Sequence, residues 1–137
     1  MDCIFCKIVE GTIPSYTIYE DDLFKVFLDI APGALGHALI IPKTHCTDVF
    51  DLPEKYAANI FGVAQKVTEI LKTTLGCDGF NIIQNNDASA GQTVFHFHTH
   101  IIPRYKNDGL KIGWTPLSPT QEELIKTHKT IKAGVIS

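Results

Sequence analysis

Three of the six histidines occupy alternate positions in the run QTVFHFHTHIIPR. Side chains two residues apart point to the same face of a β-strand. The spacing therefore predicts a strand on which His96, His98 and His100 form one row of imidazoles, with Phe97 and Thr99 on the opposite face. A row of titratable rings is difficult to explain as packing, so we expect this strand to carry a functional site.

Apolar periodicity over the rest of the chain predicts an α+β fold, an antiparallel sheet with one long helix and a C-terminal helix. The long helix is expected to begin at a capping box formed by Asp51 and Glu54 and to end at Gly76. The last helix is expected to begin with Ser118 as its cap and Pro119 as its first residue. Strands are predicted at 15–20, 23–30, 37–42, 79–85 and 93–102.

Length and charge limit the classes of protein that this chain can represent. The 137 residues, 45% of them apolar, suit a single domain over 1–137, with 118–137 as a helical extension. A net charge of −3 does not favour nucleic acid or membrane as a partner. Since no segment has the pattern of a signal peptide or a membrane span, we expect a cytoplasmic location, with the nucleus also open.

The four cysteines include one C-x-x-C pair, Cys3 and Cys6, near the N-terminus. A redox function is the weaker interpretation because the pair precedes every predicted strand. A zinc site would need two further ligands, for which His45 and His96 are candidates. Spacing alone leaves zinc binding and its absence equally open.

The histidine row permits three interpretations: a metal site, a nucleophilic imidazole that attacks phosphorus, or a solvated polar face. The preceding loop NNDASAGQT favours phosphate, because Asn85, Gln92 and Thr93 offer neutral donors. The chain has no G-x-x-x-x-G-K motif, so this loop is not a P-loop. Asp29, at the end of an apolar strand, suits either a ribose hydroxyl pair or an ordinary turn.

The run HFHTHII resembles the His-φ-His-φ-His-φ-φ signature of the histidine triad family, where φ is apolar and Thr99 is a slight departure. The segments CIFCKIVEGTIPSYTIYEDD, FKVFLDIAPGALGHALIIPKTH and NNDASAGQTVFHFHTHIIPR are similar to those of its nucleoside-phosphoramidate hydrolase branch. The resemblance extends in order over about residues 3 to 105. The dinucleoside polyphosphate hydrolase branch is less similar, since it usually lacks the C-x-x-C block.

The resemblance implies a function for each matching residue. His98 would attack the α-phosphorus and carry a covalent nucleotidyl group, His100 would bind the phosphate or the leaving group, and His37 would support His98 from behind. Asn85, Gln92 and Thr93 would line the phosphate pocket, Asp29 would hold the ribose, and the purine would lie among Phe5, Phe27, Leu28 and Ile30. A structural zinc ion would be held by Cys3, Cys6, His45 and His96.

The resemblance also implies a homodimer, formed by the long helix and the strand GFNIIQ, and a purine nucleotide such as AMP as ligand. Trp114 is a candidate for reaching the partner's active site, although the segment before it is longer than in the shortest members. Zinc on His98 would occupy the lone pair that a nucleophile needs, so we expect the ligand set to stop at His96.

Three functions remain open from the sequence. The first is hydrolysis of a purine nucleoside 5′-phosphoramidate to the monophosphate and an amine. The second is another reaction on the same site, either dinucleoside polyphosphate cleavage or nucleotidyl transfer. The third is a zinc-stabilised, nucleotide-binding adaptor whose activity is incidental to its cellular task.

Overall fold

The computed structural model describes residues 2–135 and contains a five-stranded antiparallel sheet in the order β1-β2-β3-β5-β4. The predicted α+β class is confirmed. None of the helices within 2–135 is long and apolar enough to cross a bilayer. The strands are β1 (Thr17–Glu20), β2 (Phe24–Leu28), β3 (Ala38–Pro42), β4 (Gly79–Gln84) and β5 (Thr99–Arg104), and the helices are α1 (Ile4–Glu10), α2 (Glu54–Leu75) and α3 (Gln121–Ala133).

The two faces of the sheet pack against different helices because alternate strand residues point in opposite directions. Val26 and Ile40 belong to the core cluster that packs against α2. Phe27 and Leu39 belong to a second cluster, which includes α1. His100 is paired directly with Leu39, and paired residues share a face, so His100 lies on the α1 side of the sheet.

The histidine segment differs from the single strand that the sequence predicts. Strand β5 begins at Thr99, so only His100 of the three lies within it, and the other two histidines precede it in irregular chain. The backbone N–H of Phe97 donates to the carbonyl of Cys46 at 2.7 Å. The segment therefore follows the loop after β3 instead of pairing in the sheet.

The start of α2 also differs from the prediction. Pro53 is the N-cap and provides no side-chain hydrogen bond, so the predicted capping box at Asp51 is wrong. The Asp51 carboxylate instead accepts the backbone N–H groups of Thr47 and Asp48 at 2.9 Å, which fixes the turn before the helix. The predicted end at Gly76 is confirmed, where a φ of 68° closes the last turn.

The C-terminal helix begins two residues later than predicted. Thr120, not Ser118, is the N-cap, and it forms a capping box with Glu123 in which each side chain bonds the other residue's backbone N–H. Every residue of α3 is exposed, and Trp114 before it is 87% exposed. The apolar pattern of α3 therefore covers no part of the core within the described residues.

Gly36 is expected to be essential to the turn that leads into β3. Its φ is +92°, and an added Cβ would lie 2.5 Å from Cδ1 of Leu75 and 3.2 Å from Cγ of Pro103. We expect Gly36→Ala to lower the free energy of unfolding by about 1–2 kcal/mol, measured by urea denaturation. Gly62→Ala is the matched control, since its Cβ would meet nothing within 4 Å in α2 and should add about 0.5–1 kcal/mol. Equal stability of the Gly36 variant and the wild type would contradict the strain argument.

Candidate active site and metal centre

A cavity of about 400 Å³ opens on the α1 side of the sheet. It is bounded by α1, the end of β2 and the segment that leads into β5. Of the site residues predicted from the sequence, those that line it are Phe5, Phe27, Leu28, Asp29, Ile30, Thr93, His98 and His100. His37, Asn85 and Gln92 lie outside this lining.

Several lining residues were missed by the sequence reasoning. Ile4 and Ile8 lie four apart on a short helix, and this spacing was the signal that could have identified α1 as a wall of the cavity. Nothing local in the sequence distinguishes the others, which reach the cavity through tertiary folding. The missed apolar residues are Ile4, Ile8, Ile13, Pro14, Tyr16, Ala31, Leu39 and Val94.

The hydrogen bonds of His98 determine its tautomer. Its Nδ1 lies 2.8 Å from the carbonyl oxygen of His96, and a carbonyl only accepts, so Nδ1 carries the proton and donates it. The other nitrogen, Nε2, then retains its lone pair. Burial lowers the pKa of His98 below its ordinary value, which keeps the ring neutral near pH 7. A buried, neutral imidazole with a free Nε2 lone pair has the form that a nucleophile requires.

A second chain of donors fixes the tautomer of His100. The backbone N–H of Gly33 donates to Nδ1 of His37 at 3.0 Å, so the proton of His37 lies on Nε2. This Nε2–H donates to Nδ1 of His100 at 2.9 Å, and His100 therefore carries its proton on Nε2. The resemblance had implied that His37 supports His98. In the structure His37 supports His100 instead, because it directly precedes β3 at the point where β3 pairs with β5.

The ring of His100 is strongly biased towards its neutral form. Burial lowers its pKa to about 4, and positive charge on His98 or His37 would lower it in the same direction. The carboxylate of Asp29 opposes this shift only in part. At neutral pH the ring can therefore act as a hydrogen-bond donor through Nε2 without bringing a positive charge of its own.

Acid is expected to destabilise the protein through this ring. Because the pKa of His100 is about 4 in the folded chain and the unfolded value is near 6.5, the unfolded chain binds the extra proton between these pH values. The contribution of His100 to stability is thus complete above about pH 6.5 and is lost as the pH falls towards about 4. We expect His100→Asn, whose carbonyl can still accept from His37, to flatten this part of the stability curve in urea denaturation.

The matched control for that measurement is His128→Asn, in the exposed helix α3. It should reproduce the wild-type dependence on pH, since it removes a histidine outside the site while the four candidate metal ligands stay in place. Parallel curves for His100→Asn and the wild type would contradict the assignment of the acid effect to His100.

Gln92 holds the loop before the histidine segment together and joins it to the loop after β3. The buried Gln92 accepts the backbone N–H of Asp87 at 2.8 Å and donates to the carbonyl of Thr47 at 2.7 Å. Its amide is therefore committed to the loop and not presented to the cavity. Asn85 packs beside Gly91, where an added Cβ would lie 3.6 Å from the Asn85 amide nitrogen.

Asp29 forms the turn that was one of the two functions left open by the sequence. One carboxylate oxygen accepts the backbone N–H of Ala31 at 2.9 Å, which is a turn-forming contact. The other lies 3.6 Å from Nε2 of His37, and the residue also lines the cavity. Asp29, His37 and His100 lie close enough to hold a metal, but Nδ1 of both rings is already hydrogen-bonded, so we interpret them as a hydrogen-bonded pair of rings beside a carboxylate.

The four predicted metal ligands come together beside the cavity. One ligand atom from each of Cys3, Cys6, His45 and His96 lies within 4.8 Å of all the others. The Sγ–Nδ1 distances are 3.4 Å for Cys3 and His96, 3.4 Å for Cys6 and His45, and 3.6 Å for Cys6 and His96. Ligands at ordinary zinc distances on the corners of a tetrahedron are separated by about 3.6 Å, so the donor set fits zinc.

The nitrogen that His96 offers to this centre is also fixed by a hydrogen bond. Its Nε2 donates to the carbonyl of Pro42 at 3.0 Å, which leaves Nδ1 unprotonated and directed at the two thiols. Burial, followed by the neighbouring Cys3, raises the pKa of Cys6 to about 11. A cation would relieve this cost, because zinc binds the thiolate and releases its proton.

Comparison with known proteins agrees with this geometry. The family model described as "HIT domain" matches residues 10–107. The chain is 44% identical over 114 residues to "Protein hit" of Bacillus subtilis, over 82% of this chain and 79% of that protein. It is also 44% identical over 124 residues to the protein named adenosine 5′-monophosphoramidase of Schizosaccharomyces pombe, over 88% and 90% of the two chains.

A solved structure leads to the same family. A zinc-bound histidine triad family protein of Mycobacterium smegmatis superposes with a TM-score of 0.78 at 37% identity, and the match covers 98% of this chain and 99% of that one. The family matches more than half of the chain, and the relatives exceed 40% identity over most of their length. The predicted family is therefore confirmed: this chain belongs to the histidine triad, or HIT domain, family.

Proposed function

We propose that this protein hydrolyses purine nucleoside 5′-phosphoramidates to the nucleoside monophosphate and an amine. The observation that carries the proposal is the pair of neutral rings in the cavity, His98 with a free Nε2 lone pair and His100 with an Nε2–H donor. Their centroids are 5.0 Å apart. The name of the relative from Schizosaccharomyces pombe supports the same substrate class.

The first step forms a bond between Nε2 of His98 and the α-phosphorus. The bond from phosphorus to the amine nitrogen breaks, and the amine leaves with the electron pair and takes up a proton from solvent. His98 becomes positively charged as it acquires the phosphorus, and the His96 carbonyl that accepts its Nδ1–H stabilises this charge. The Nε2–H of His100 donates to the negative charge on the phosphate oxygens.

The second step releases the nucleotide. A water molecule attacks the phosphorus, the bond to Nε2 of His98 breaks, and the electron pair returns to the ring. The products are the monophosphate and the original neutral tautomer of His98, with the water proton passed to solvent. Two displacements, each assisted by fixed donors, replace one direct attack by water.

The nucleotide would fit the remaining walls of the cavity. Phe5 and Phe27, with their ring centroids 5.6 Å apart, provide buried aromatic surface for a purine. The Asp29 carboxylate would accept hydrogen bonds from the ribose hydroxyls, and Thr93 would donate a hydrogen bond to the phosphate. We propose that a zinc ion, held by the Cys3–Cys6–His45–His96 cluster, has a structural function and joins α1 to the segment before β5.

The leaving group separates this proposal from other reactions on the same site. We expect an adenosine 5′-phosphoramidate to be hydrolysed with a kcat/KM at least about a hundredfold higher than a diadenosine polyphosphate, because no Lys or Arg lines the described cavity to neutralise a polyphosphate leaving group. Steady-state assays with matched adenosine substrates measure the ratio. A ratio below one would favour dinucleoside polyphosphate cleavage instead.

Two further expectations stay predictions. The implied homodimer would use α2 and β4, where Phe61 is 67% and Ile82 is 43% exposed, so apolar surface is available on both elements. The second expectation is a cytoplasmic or nuclear location, which is inferred from the sequence.

A further inference from the structure

We propose that Phe5 is a positioning residue for His98 and that it transmits the state of the metal centre to the catalytic ring. The inference rests on the proposed function, since it concerns the ring that would act as nucleophile. It adds to the expected task of Phe5 as a wall of the nucleotide cavity.

Phe5 lies between the two candidate thiolate ligands on one short helix. Cys3 is the N-cap of α1, its Sγ accepts the backbone N–H of Cys6, and Phe5 is one residue before Cys6. Since α1 has only seven residues, it cannot hold its own position by helix propensity. Its position depends on the buried apolar contacts of Phe5 and Ile8. It also depends on the contacts of the two cysteines with the other ligands of the candidate metal centre.

The ring of Phe5 contacts the metal side and the catalytic side at the same time. Its centroid lies 5.8 Å from the His96 ring at an interplanar angle of 77°, and 5.2 Å from the His98 ring at 82°. Both are edge-on arrangements, which aromatic rings favour. Phe5 is only 6% exposed, so the ring has little freedom to move away from either imidazole.

A second connection runs through the main chain of His96. Its carbonyl accepts the Nδ1–H of His98, and its ring is anchored to Pro42 on one side and lies against the two thiols on the other. The His98 ring also packs against His100, but two of its constraints, the carbonyl that accepts its proton and its contact with Phe5, both lead to the candidate metal ligands.

Loss of either constraint has a chemical consequence. The Nδ1–H tautomer of His98 persists because the ring is held in line with the His96 carbonyl. If the ring rotates away, the proton can move to Nε2, which removes the lone pair that would attack phosphorus. Loss of positioning should therefore change kcat and the tautomer population of His98, and not only the affinity for nucleotide.

The test compares two buried phenylalanines of the same cavity in the zinc-loaded protein. Phe5→Leu removes the ring that contacts both imidazoles, whereas Phe27→Leu removes a ring that lines the cavity and contacts Phe5. We expect Phe5→Leu to lower kcat by about tenfold and Phe27→Leu to act mainly on KM. Long-range ¹H–¹⁵N NMR of the imidazoles should show the Nε2–H tautomer of His98 only in Phe5→Leu and in metal-stripped wild type.

The outcomes are distinct. A pure Nδ1–H tautomer of His98 in Phe5→Leu and an unchanged kcat would overturn the positioning role. A mixed tautomer in Phe5→Leu but not after metal removal would overturn the connection to the metal centre. The NMR measurement needs no substrate, so it tests the positioning of His98 even in a protein without phosphoramidate hydrolysis. Absence of that hydrolysis in the wild type would count against the proposed function and not against the positioning role of Phe5.

Discussion

Replacement of His98 by Asn is expected to lower kcat/KM on an adenosine 5′-phosphoramidate by roughly 10⁴-fold, because it removes the nucleophile itself. An Asn amide can still donate to the His96 carbonyl that now accepts from Nδ1 of His98, so the buried hydrogen bond need not be lost. AMP binding should be retained within about tenfold, since the cavity walls and His100 remain.

The measurement is intact-protein mass spectrometry after a brief acid quench with the same substrate. An adenylyl adduct should form in the wild type and be absent from His98→Asn and His98→Ala. His128→Asn, in the exposed helix α3, is the control and should retain both adduct and turnover. Thermal melts of each variant separate loss of chemistry from loss of fold.

Three results would change the interpretation. An adduct that persists in His98→Asn would place the nucleophile on another residue. No adduct and no turnover in the wild type, with AMP still bound, would favour the nucleotide-binding adaptor over an enzyme. In a cell, a phenotype that survives His98→Asn would support the same adaptor interpretation.

The sequence predicted those parts of the fold that depend on local pattern. The apolar stripe predicted for α2 comprises Tyr56, Ile60, Val63, Val67, Ile70 and Leu71. All of these are buried or partly buried against the core except Ile70, which is 38% exposed. Gly76 ends the helix where its left-handed φ is needed. The starts of α2 and α3 were missed although the contacts that set them are local. The boundary that failed at the histidines depends instead on a tertiary contact. The strand predicted through the histidines is interrupted because Phe97 bonds to the loop after β3.

The site shows the same division. Residue type and spacing identified the histidines, and the acceptor that fixes the tautomer of His98 is the carbonyl of His96, only two residues away. The tautomer of His100 depends instead on His37, which lies 63 residues away and is brought into contact by the pairing of β3 with β5. The same applies to Gln92, whose commitment to the loop depends on the carbonyl of Thr47. No pattern within a single segment contains the contacts of His100 with His37 or of Gln92 with Thr47.

Removal of zinc is expected to have the largest effect on stability. The candidate ligands join residues 3 and 6 to residues 45 and 96, so a metal ion would tie α1 to two distant loops. With free zinc at a thousand times the dissociation constant, binding adds about 4 kcal/mol to the free energy of unfolding. For a chain of this size, chelation should lower the melting temperature by about 14 °C.

Cys3→Ser and Cys46→Ser form a matched pair for this test, because both replace buried thiols but only Cys3 belongs to the metal cluster. Melting temperatures should depend on zinc in the wild type and in Cys46→Ser, and lose this dependence in Cys3→Ser. Zinc would bind His96 and not His98, so the metal is not expected to take part in the reaction itself. Wild-type protein stripped of zinc should therefore keep a measurable part of its turnover at temperatures below its lowered melting temperature. Complete loss of turnover within seconds of chelation, in protein that is still folded, would show that the metal takes part in the chemistry.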